Sequence, residues 1–328
     1  MPKWLPIHRL LQLRLTRYAW IILCLIAIIQ FFATYGYYNY EHLEEENLNK
    51  YLYKHVNPKL MIKKSKPECK YEGILQSTKT LHTWEATKTF NDFIPKGIMN
   101  GSYAPEDCNP IFSVAILVTY RNRQSQLDIF IPYMHNFLRK QNIHYKIYII
   151  EQQDDKPWNK GLLYNIGAKQ AIAENFPCLI LHDVDLLPLD ESNLYACLHQ
   201  PRHMSASIDK FRFVLIYKTL VGGVLAITSD QYKKLNGFSN RFQGWGGEDD
   251  DFATRIMENK LSILRFPNYM SRYTMLLHKQ EAKNSARYDI MSENTSKRNS
   301  EHDGLNSVHF ETISVKPHRL FTLIGVRV

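Results

Sequence analysis

The sequence predicts an α/β domain with a mixed, largely parallel β-sheet, behind a single apolar helix near the N-terminus. Between residues 113 and 259, short apolar runs typical of buried strands alternate with longer stretches typical of helices. Such alternation favours a layered domain whose strands are mostly parallel. Residues 18–40 contain no charged side chain, and a run of that length can cross a bilayer as a helix. Since 45% of the 328 residues are hydrophobic, the chain can form one large domain or two small ones.

Basic residues precede the apolar run and acidic residues follow it. Lys3, Arg9, Arg14 and Arg17 come before it, and residues 41–46 include four glutamates. This bias predicts that the N-terminus faces the cytoplasm. We therefore expect a cytoplasmic tail at residues 1–17 and a transmembrane signal anchor at residues 18–40. A cleaved signal peptide is the alternative, but no small-x-small cleavage site follows the run cleanly.

The rest of the chain divides into a polar segment and a patterned domain. Residues 41–68 are polar, lysine-rich and weakly patterned, which predicts a stem, and residues 69–328 are expected to form the luminal catalytic domain. The predicted strands are Ser113–Thr119, Tyr145–Ile150, Cys178–His182 and Val221–Ile227, and the predicted helices are Gln126–Arg139, Lys160–Glu174 and Asp249–Asn259. Ligands of such sheets bind beyond the carboxyl ends of the strands. The residues that follow each strand are therefore the first site candidates.

The charge of the chain does not indicate a nucleic-acid partner. The formal net charge is +9, but the basic residues are spread along the chain. No zinc-finger, helix-turn-helix or RNP pattern is present in the sequence. The predicted anchor also argues against one alternative, a basic nucleic-acid binder, so we expect no nucleic-acid partner; a nuclear location would favour that alternative.

The cysteines and two sequons fit a luminal domain. Cys24 lies in the apolar run, and the other cysteines are Cys69, Cys108, Cys178 and Cys197. Four cysteines in an oxidising compartment predict two disulfides, with three pairings open on spacing alone. The triplets that begin at Asn100 and Asn294 are candidate N-glycosylation sites.

The octet Gly-Trp-Gly-Gly-Glu-Asp-Asp-Asp at residues 244–251 is the strongest functional signal. Four consecutive carboxylates repel one another unless a ligand uses them. An acidic first turn of a helix explains some of these acids, since Phe252 and Ile256 follow at helical spacing. It does not explain a tryptophan between glycines. A flat ring beside carboxylates suits a sugar, whose apolar face stacks on the ring while its hydroxyls meet the acids.

Two further groups suit a sugar nucleotide. Asp183 and Asp185 directly follow a buried apolar strand, where they can meet a divalent cation that neutralises a diphosphate. Arg121 and Arg123 follow the first strand and suit phosphate or uracil oxygens, although solvated surface arginines explain that pair equally well.

Met275 and His278 are three residues apart, and a thioether suits Mn²⁺ better than Mg²⁺. A lone histidine is more often structural than a ligand.

These residues together resemble the β-1,4-galactosyltransferase family of type II Golgi enzymes with a GT-A fold. The resemblance covers about residues 69–320 and rests on the following ordered motifs: Arg121-Asn122-Arg123-Gln124, Asp183-Val184-Asp185-Leu186, Gln200-Pro201-Arg202-His203, Asp209-Lys210-Phe211, Gly222-Gly223, the octet, Met275 with His278, and Asp303-Gly304-Leu305-Asn306. It implies a Golgi membrane location, single-pass with a luminal catalytic domain. It also implies the pairings Cys69–Cys108 and Cys178–Cys197.

The resemblance implies a role for each matching position. Catalysis is assigned to Asp249 as general base and to Glu248 near the donor sugar. The implied Mn²⁺ ligands are Asp185, Met275 and His278. The implied donor-binding residues are Arg121, Arg123, Trp158, Asp183, Val184, Lys210, Leu220 and the mobile Trp245. The implied acceptor-binding residues are Tyr217, Asp250, Arg287, Tyr288 and Met291, and the segment from about Leu276 to Ser296 matches a loop that closes over the donor.

One departure from the family pattern bears on the donor. The galactose-specific enzymes have Tyr-x-x-Tyr before the double glycine, whereas this chain has Tyr217-Lys218-Thr219-Leu220. A leucine there is shorter than tyrosine and leaves room for an N-acetyl group. The chain is thus most similar to the invertebrate β-1,4-N-acetylgalactosaminyltransferase branch. Gly247 and Asp251 favour a GlcNAc-type acceptor over the xylose-directed branch.

The expected function is inverting transfer of GalNAc from UDP-GalNAc, with Mn²⁺, to a terminal GlcNAc of a glycoprotein or glycolipid glycan in β1,4 linkage. The alternatives are the same enzyme with UDP-Gal as donor and a non-catalytic, lectin-like membrane glycoprotein. The sequence indicates no particular helper or modifier protein.

Overall fold

The computed structural model describes residues 7–34, 40–81, 97–279, 281–297 and 299–328. The start of the predicted tail and residues 35–39 of the predicted anchor lie outside this range. The α-helices, in chain order, are α1 (Ile7–Thr34), α2 (Leu48–Tyr51), α3 (Glu72–Leu75), α4 (Gln124–Arg139), α5 (Lys160–Ala173), α6 (Ser229–Lys234), α7 (Glu248–Glu258) and α8 (Arg287–Lys297). The strands are β1 (Ser102–Tyr103), β2 (Ser113–Tyr120), β3 (His144–Gln152), β4 (Cys178–Asp183), β5 (Leu186–Pro188), β6 (Arg202–His203), β7 (Ser207–Ile208), β8 (Val224–Thr228), β9 (Arg272–Met275), β10 (Thr312–Pro317) and β11 (Thr322–Arg327).

The main sheet is mixed and its centre is parallel, as the sequence predicted. Its strand order is β10-β11-β3-β2-β4-β8-β6, with β1 paired to β3. Strands β11, β3, β2 and β4 are parallel to their neighbours in this order, and the pairs β10–β11, β4–β8 and β8–β6 are antiparallel. The register places Thr119 beside Asp183, so β2 and β4 end at the same edge.

The sheet is buried on both faces, which explains why its central strands are continuous apolar runs. In β2, the side chains of Val114, Ile116 and Val118 belong to one hydrophobic cluster. Ala115 and Leu117, which point to the opposite face, belong to another. Helix α5 packs against the second face beside β2, β3 and β4.

One local prediction needs correction, and one feature of the fold was not predicted. The strand predicted to begin at Val221 begins at Val224 instead. Gly223 has φ +91°, a left-handed conformation that ends the extended backbone, and a Cβ there would lie 2.6 Å from the hydroxyl of Ser205. The small second sheet, with order β5-β9-β7, was not predicted. Its strands contain two to four residues, too few to show a periodic pattern.

The predicted stem is not a separate spacer over its whole length. Leu48 and Leu52 are 1% and 3% exposed and belong to the main hydrophobic cluster. The backbone N–H of Tyr53 donates to the carbonyl of Cys197, and that of Ser113 donates to the carbonyl of His55. Two leucines four residues apart in a polar segment form too sparse a pattern to predict this packing. The globular part of the molecule therefore extends back to Tyr40, which is 8% exposed.

Both implied disulfides are present. Cys69 bonds to Cys108 and Cys178 bonds to Cys197, with Cα atoms 5.0 and 5.7 Å apart. Cys178 begins β4, so the second bond anchors the start of that strand.

Helix α1 is consistent with the predicted anchor. By length and composition, its segment Arg14–Phe31 is long and apolar enough to cross a membrane. Cys24 lies in this segment and is exposed.

Candidate active site

Lys160 lies at the centre of the site, among three carboxylates. It is the first residue of α5, which begins because the side chain of Asn159 accepts a hydrogen bond from the N–H of Leu162. Its Nζ lies 3.0 Å from Oδ1 of Asp183, 3.7 Å from Oε1 of Glu248 and 3.6 Å from Oδ2 of Asp249. Asp183 ends β4, whereas Glu248 and Asp249 begin α7. The end of β4 and the start of α7 therefore both contact the ammonium group of Lys160.

Burial and neighbouring charges shift the pKa values of Lys160 and Asp249. Burial opposes the charge of Lys160, but its three carboxylate neighbours together raise its pKa well above the ordinary value, so it stays protonated. Burial raises the pKa of Asp249 to about 7, and the charges of Glu248 and Asp183 add to this effect while Lys160 opposes it. The Asp249 side chain remains 25% exposed, so a ligand can reach it. A reachable carboxyl with this pKa can act as a base near neutral pH.

Glu248 carries an acceptor that the described part of the protein does not use. The residue is 5% exposed, and its Oε2 has no hydrogen-bond partner among the described residues. A buried carboxylate oxygen without a donor costs stability, so a ligand that supplies a hydroxyl would satisfy it.

Asp250, which follows Asp249 in α7, is paired with Tyr217. The hydroxyl of Tyr217 donates to Oδ1 of Asp250 over 2.8 Å. Burial and the neighbouring Asp250 carboxylate raise the pKa of Tyr217, so it remains a neutral donor. Tyr217 is 36% exposed and lies on the loop before the double glycine. The structure thus brings two predicted acceptor residues together.

The glycine at 222 allows this arrangement. A Cβ at Gly222 would lie 2.4 Å from Oδ2 of Asp249, closer than non-bonded atoms approach. Gly247, which precedes α7, has φ +97°, and a Cβ there would lie 2.7 Å from the Phe242 ring. Both the double glycine and the glycines of the octet therefore have structural roles that the sequence pattern alone did not distinguish.

Two of the three predicted metal ligands are in contact. Nδ1 of His278 lies 2.7 Å from Oδ2 of Asp185, and this hydrogen bond raises the pKa of His278. Met275 is placed by the pairing of β9 with β5, where it lies opposite Leu186, the residue after Asp185. The carboxylate of Asp209 accepts the backbone N–H of Met275 and so fixes the end of β9.

The donor set of this group fits a transition-metal ion better than an alkaline-earth ion. Among the described residues, no group of three histidine, cysteine or acidic side chains is arranged to hold a metal ion, so a metal site here also needs the thioether. Imidazole and thioether ligands beside one carboxylate are more compatible with Mn²⁺ than with Ca²⁺, which prefers oxygen ligands alone.

The predicted nucleotide residues lie against the segment that follows β9. The guanidinium of Arg121 lies 5.3 Å from the centre of the Trp158 ring, and it is 3.5 Å from the carboxylate of Glu281. Arg123 donates to the carbonyl of Lys279 over 2.8 Å. Because both arginines contact this segment, its position controls access to them.

The octet loop pairs with the segment from about Leu276 to Ser296, which the resemblance predicts to close over the donor and which we call the lid. The backbone N–H of Trp245 donates to the carbonyl of Ala282, and the carbonyl of Trp245 accepts the N–H of Asn284. The guanidinium of Arg287 lies 5.9 Å from the Trp245 ring and 4.7 Å from the Tyr288 ring. Trp245 remains 45% exposed and Tyr288 67% exposed, so both rings can meet a ligand.

Asn294 on helix α8, within the lid, is hydrogen-bonded to Asp251 on α7. Its amide donates to Asp251 over 2.8 Å and its carbonyl oxygen accepts from Arg241 over 2.9 Å, while the residue is 6% exposed. Both polar atoms of the side-chain amide are hydrogen-bonded and the residue is buried, so a glycan does not fit on Asn294 in this conformation. The predicted sequon at Asn100 is exposed. A sequon pattern carries no information on burial, which is why both were predicted alike.

The other predicted residues lie at the edge of the group. Val184 is buried beside Asp183, and Lys210 is exposed on the 3₁₀ turn Asp209–Phe211. Met291 is half-buried on α8, and Leu220 is half-buried against a cluster that contains Tyr40. Lys160, Asp251 and Asn294 are linking residues whose role sequence reasoning missed.

Two family models match adjacent parts of the chain. The model described as the N-terminal region of glycosyl transferase group 7 matches residues 63–198. The model described as the N-terminal domain of galactosyltransferase matches residues 202–279. These ranges include Lys160, its three carboxylate partners, and both metal-ligand candidates that are in contact.

Curated relatives agree with these matches. Beta-1,4-galactosyltransferase 1 of Mus musculus is 39% identical over 230 residues, which cover 69% of this chain and 57% of the relative. Beta-1,4-galactosyltransferase 4 of Cricetulus griseus is 38% identical over 231 residues, which cover 70% of this chain and 67% of the relative. The chain thus spans 57% of the first relative and 59% of beta-1,4-galactosyltransferase 1 of Homo sapiens.

Solved structures support the same fold. One is the catalytic domain of Drosophila beta1,4-galactosyltransferase 7 in complex with xylobiose, which aligns with a TM-score of 0.57 and 26% identity. The alignment covers 66% of this chain and 94% of the Drosophila chain. A mutant of that enzyme in complex with manganese, UDP-Gal and xylobiose aligns equally well. The predicted GT-A-like fold is confirmed, and the chain belongs to the β-1,4-galactosyltransferase family, glycosyltransferase group 7.

Proposed function

We propose that this chain is an inverting glycosyltransferase that moves GalNAc from UDP-GalNAc to O4 of a terminal GlcNAc on a glycoprotein or glycolipid glycan. The observation that carries the proposal is the position of Asp249. Its carboxyl is partly exposed, has a pKa of about 7 and lies 3.6 Å from the cation of Lys160. It is also adjacent in sequence to Asp250, which is paired with Tyr217.

In the proposed reaction, Asp249 removes the proton from the acceptor hydroxyl as its oxygen bonds to C1 of the donor sugar. The bond from C1 to the diphosphate oxygen breaks, and its electron pair leaves with UDP. Attack from the face opposite UDP inverts C1. Lys160 keeps Asp249 ionised enough to accept the proton, and the Asp250–Tyr217 pair holds the acceptor.

The leaving group has its own residues. Asp185, His278 and Met275 would hold Mn²⁺, which when bound supplies positive charge that stabilises the departing diphosphate. Arg121 and Arg123 suit the phosphates or the uracil. The mutant Drosophila enzyme, whose structure contains manganese and UDP-Gal, supports a metal-dependent UDP-sugar donor here.

The donor sugar has two recognition elements. Trp245 provides an exposed ring for the apolar face of a hexose, and Oε2 of Glu248 can accept a hydroxyl hydrogen. Binding of the sugar would thereby satisfy the buried Glu248 oxygen that lacks a donor within the described part of the chain.

UDP-Gal is the second candidate donor, because the similar relatives are named galactosyltransferases. Leu220 favours UDP-GalNAc, since its side chain lies against Tyr40, Ala206 and Leu215 and is smaller than a tyrosine. Replacing Leu220 with tyrosine is therefore expected to shift the ratio of kcat/KM values by about 10–200-fold toward UDP-Gal, the range set by pocket contacts of about 1–3 kcal/mol.

The experiment measures UDP release by the full chain with Mn²⁺, both donors and a panel of sugar acceptors, for wild type, Leu220→Tyr and the control Leu60→Tyr. Leu60 is half-exposed in the predicted stem. An unchanged ratio in Leu220→Tyr would contradict the donor assignment. Absence of UDP release with every donor and acceptor would favour the lectin-like alternative.

The rate should depend on the protonation of Asp249. Because the base acts in its ionised form and its pKa is about 7, kcat/KM should rise with pH through 7 and be about tenfold below its plateau at pH 6. Lys160 lowers that pKa, so Lys160→Met should move the rise to higher pH, whereas Lys160→Arg should leave it near 7. A profile that does not move in Lys160→Met would remove Asp249 as its source.

The anchor and location are part of the proposal. Helix α1 and the charge bias around it support a single-pass protein with its catalytic domain in the Golgi lumen. The acceptor is then a glycan on a secretory protein or a lipid. Cys69–Cys108 and Cys178–Cys197 fit the same compartment, because disulfides persist where thiols are oxidised.

A further inference from the structure

The first described residues after α1 pack against the loop that carries Tyr217 and Leu220. Tyr40 is 8% exposed and forms a small hydrophobic cluster with Ala206 and Leu215, against which Leu220 lies. The hydroxyl of Tyr40 donates to the carbonyl of Phe266 over 3.0 Å. The ring of Tyr40 therefore fills the space behind the residue to which donor choice is assigned.

Arg265 joins this segment to the loop. Its backbone carbonyl accepts the N–H of Leu43, and its guanidinium lies 5.9 Å from the Tyr40 ring. One terminal nitrogen of the guanidinium donates to the carbonyls of Lys218 and Leu220, over 2.8 and 2.9 Å. Arg265 is 4% exposed, so these bonds form away from water and hold the loop backbone firmly.

The same arginine reaches the double glycine through a histidine. Nε of Arg265 lies 3.3 Å from Nδ1 of His203, and Nε2 of His203 lies 3.0 Å from the carbonyl oxygen of Gly222. Burial lowers the pKa of His203 to about 3, so the ring is neutral and can accept on Nδ1 while it donates from Nε2. Gly222 in turn lies against Asp249, with no room for a Cβ between them.

We propose that Tyr40 and Arg265 are positioning residues that fix Leu220 and Gly222, so that residues 40–43 help to set donor selectivity. This inference rests on the proposed transferase function. Without the Tyr40 ring, Leu220 can move into the vacated space, and its contacts with the donor's 2-substituent weaken. Without the Arg265 guanidinium, the carbonyls of Lys218 and Leu220 lose their donor and the loop loosens.

The test compares donor ratios in the full-length chain in detergent, with Mn²⁺ present. In Tyr40→Ala, the ratio of kcat/KM for UDP-GalNAc over UDP-Gal should move toward one by about tenfold, the effect of about 1.4 kcal/mol. Tyr40→Phe keeps the ring and should retain the wild-type ratio. Tyr53→Ala is the matched control, since Tyr53 is half-buried in the same N-terminal segment but packs against His55 and His199.

A double-mutant cycle tests whether the two residues act together. Arg265→Met should shift the ratio in the same direction as Tyr40→Ala, and the double variant should shift it by less than the product of the two changes, because both act through one loop. Hydrogen exchange at residues 217–221 should speed up in both variants, which provides a readout that needs no turnover.

The outcomes separate the two proposals. A variant that merely folds less well has a lower rate with both donors equally and keeps the wild-type donor ratio of kcat/KM. If Tyr40→Ala gives that result, and hydrogen exchange at residues 217–221 is unchanged, the positioning role is overturned. An equal shift in Tyr53→Ala would also overturn it. A wild-type chain that transfers neither sugar would instead overturn the proposed function.

Discussion

Asp249→Asn is expected to lower kcat by about 10²–10⁴-fold, the contribution typical of a positioned general base. An amide of the same shape cannot take the proton of the acceptor hydroxyl. It also leaves Lys160 with Asp183 and Glu248 as partners, so the cation stays satisfied. The dissociation constant of the UDP-sugar should change by less than about threefold, because an interaction made only in the transition state affects kcat and not ground-state binding.

Asp230→Asn provides the matched control. Asp230 lies on α6 with an 81% exposed side chain, where it forms an ion pair with the neighbouring Lys233. This variant should have wild-type kcat and thermal stability, since exposed pairs contribute little. Titration calorimetry with the UDP-sugar and Mn²⁺ measures donor binding. Turnover of Asp249→Asn at the wild-type rate would exclude Asp249 as the base, and loss of donor binding would make it a binding residue instead.

Gly222→Ala is the second large effect and tests the same carboxylate without changing any charge. The added Cβ would lie 2.4 Å from Oδ2 of Asp249, so the carboxylate must move away from its place beside Lys160. Gly222 does not have a positive φ, so the substitution adds bulk without backbone strain. We expect kcat to fall by about 10²-fold, because a shift on the order of 1 Å in a catalytic group has that effect.

Gly73→Ala is the control for the general effect of a glycine-to-alanine change. Gly73 lies in α3, and no heavy atom of the described residues lies within 4 Å of a Cβ built there. The change should leave kcat unchanged and keep or slightly raise the melting temperature. If Gly222→Ala lowers the melting temperature without lowering kcat of the folded fraction, the close approach of Gly222 and Asp249 is structural and not catalytic.

The sequence was sufficient for the parts of the site that are local in the chain. Asp183 and Asp185 follow a buried apolar run, and Glu248 and Asp249 follow glycines at the start of an amphipathic helix, so both groups could be placed at strand and helix ends. The central strands were predicted because sheets buried on both faces need continuous apolar segments.

The contacts that join distant segments were not predictable. Lys160 meets the octet only because α5 and α7 both begin at the same edge of the sheet. Arg265 and Tyr40 are remote in sequence from Leu220, and no periodic pattern marks them. The packing of residues 40–57 against the catalytic domain depends on a few isolated apolar side chains, which local reasoning assigns to a spacer.

Because of the disulfide between Cys178 and Cys197, the stability of the fold around β4 depends on the redox conditions in which the protein is made. The disulfide ties the first residue of β4, whose last residue is Asp183, across a separation of 19 residues. Closing a loop of that size disfavours the unfolded chain by about 3 kcal/mol. Protein produced in a reducing bacterial cytosol lacks this restraint on the strand that leads to Asp183 and Asp185, the residues proposed to bind the donor and the metal. Recombinant material for any of these assays should therefore come from a secretory host or from oxidative refolding.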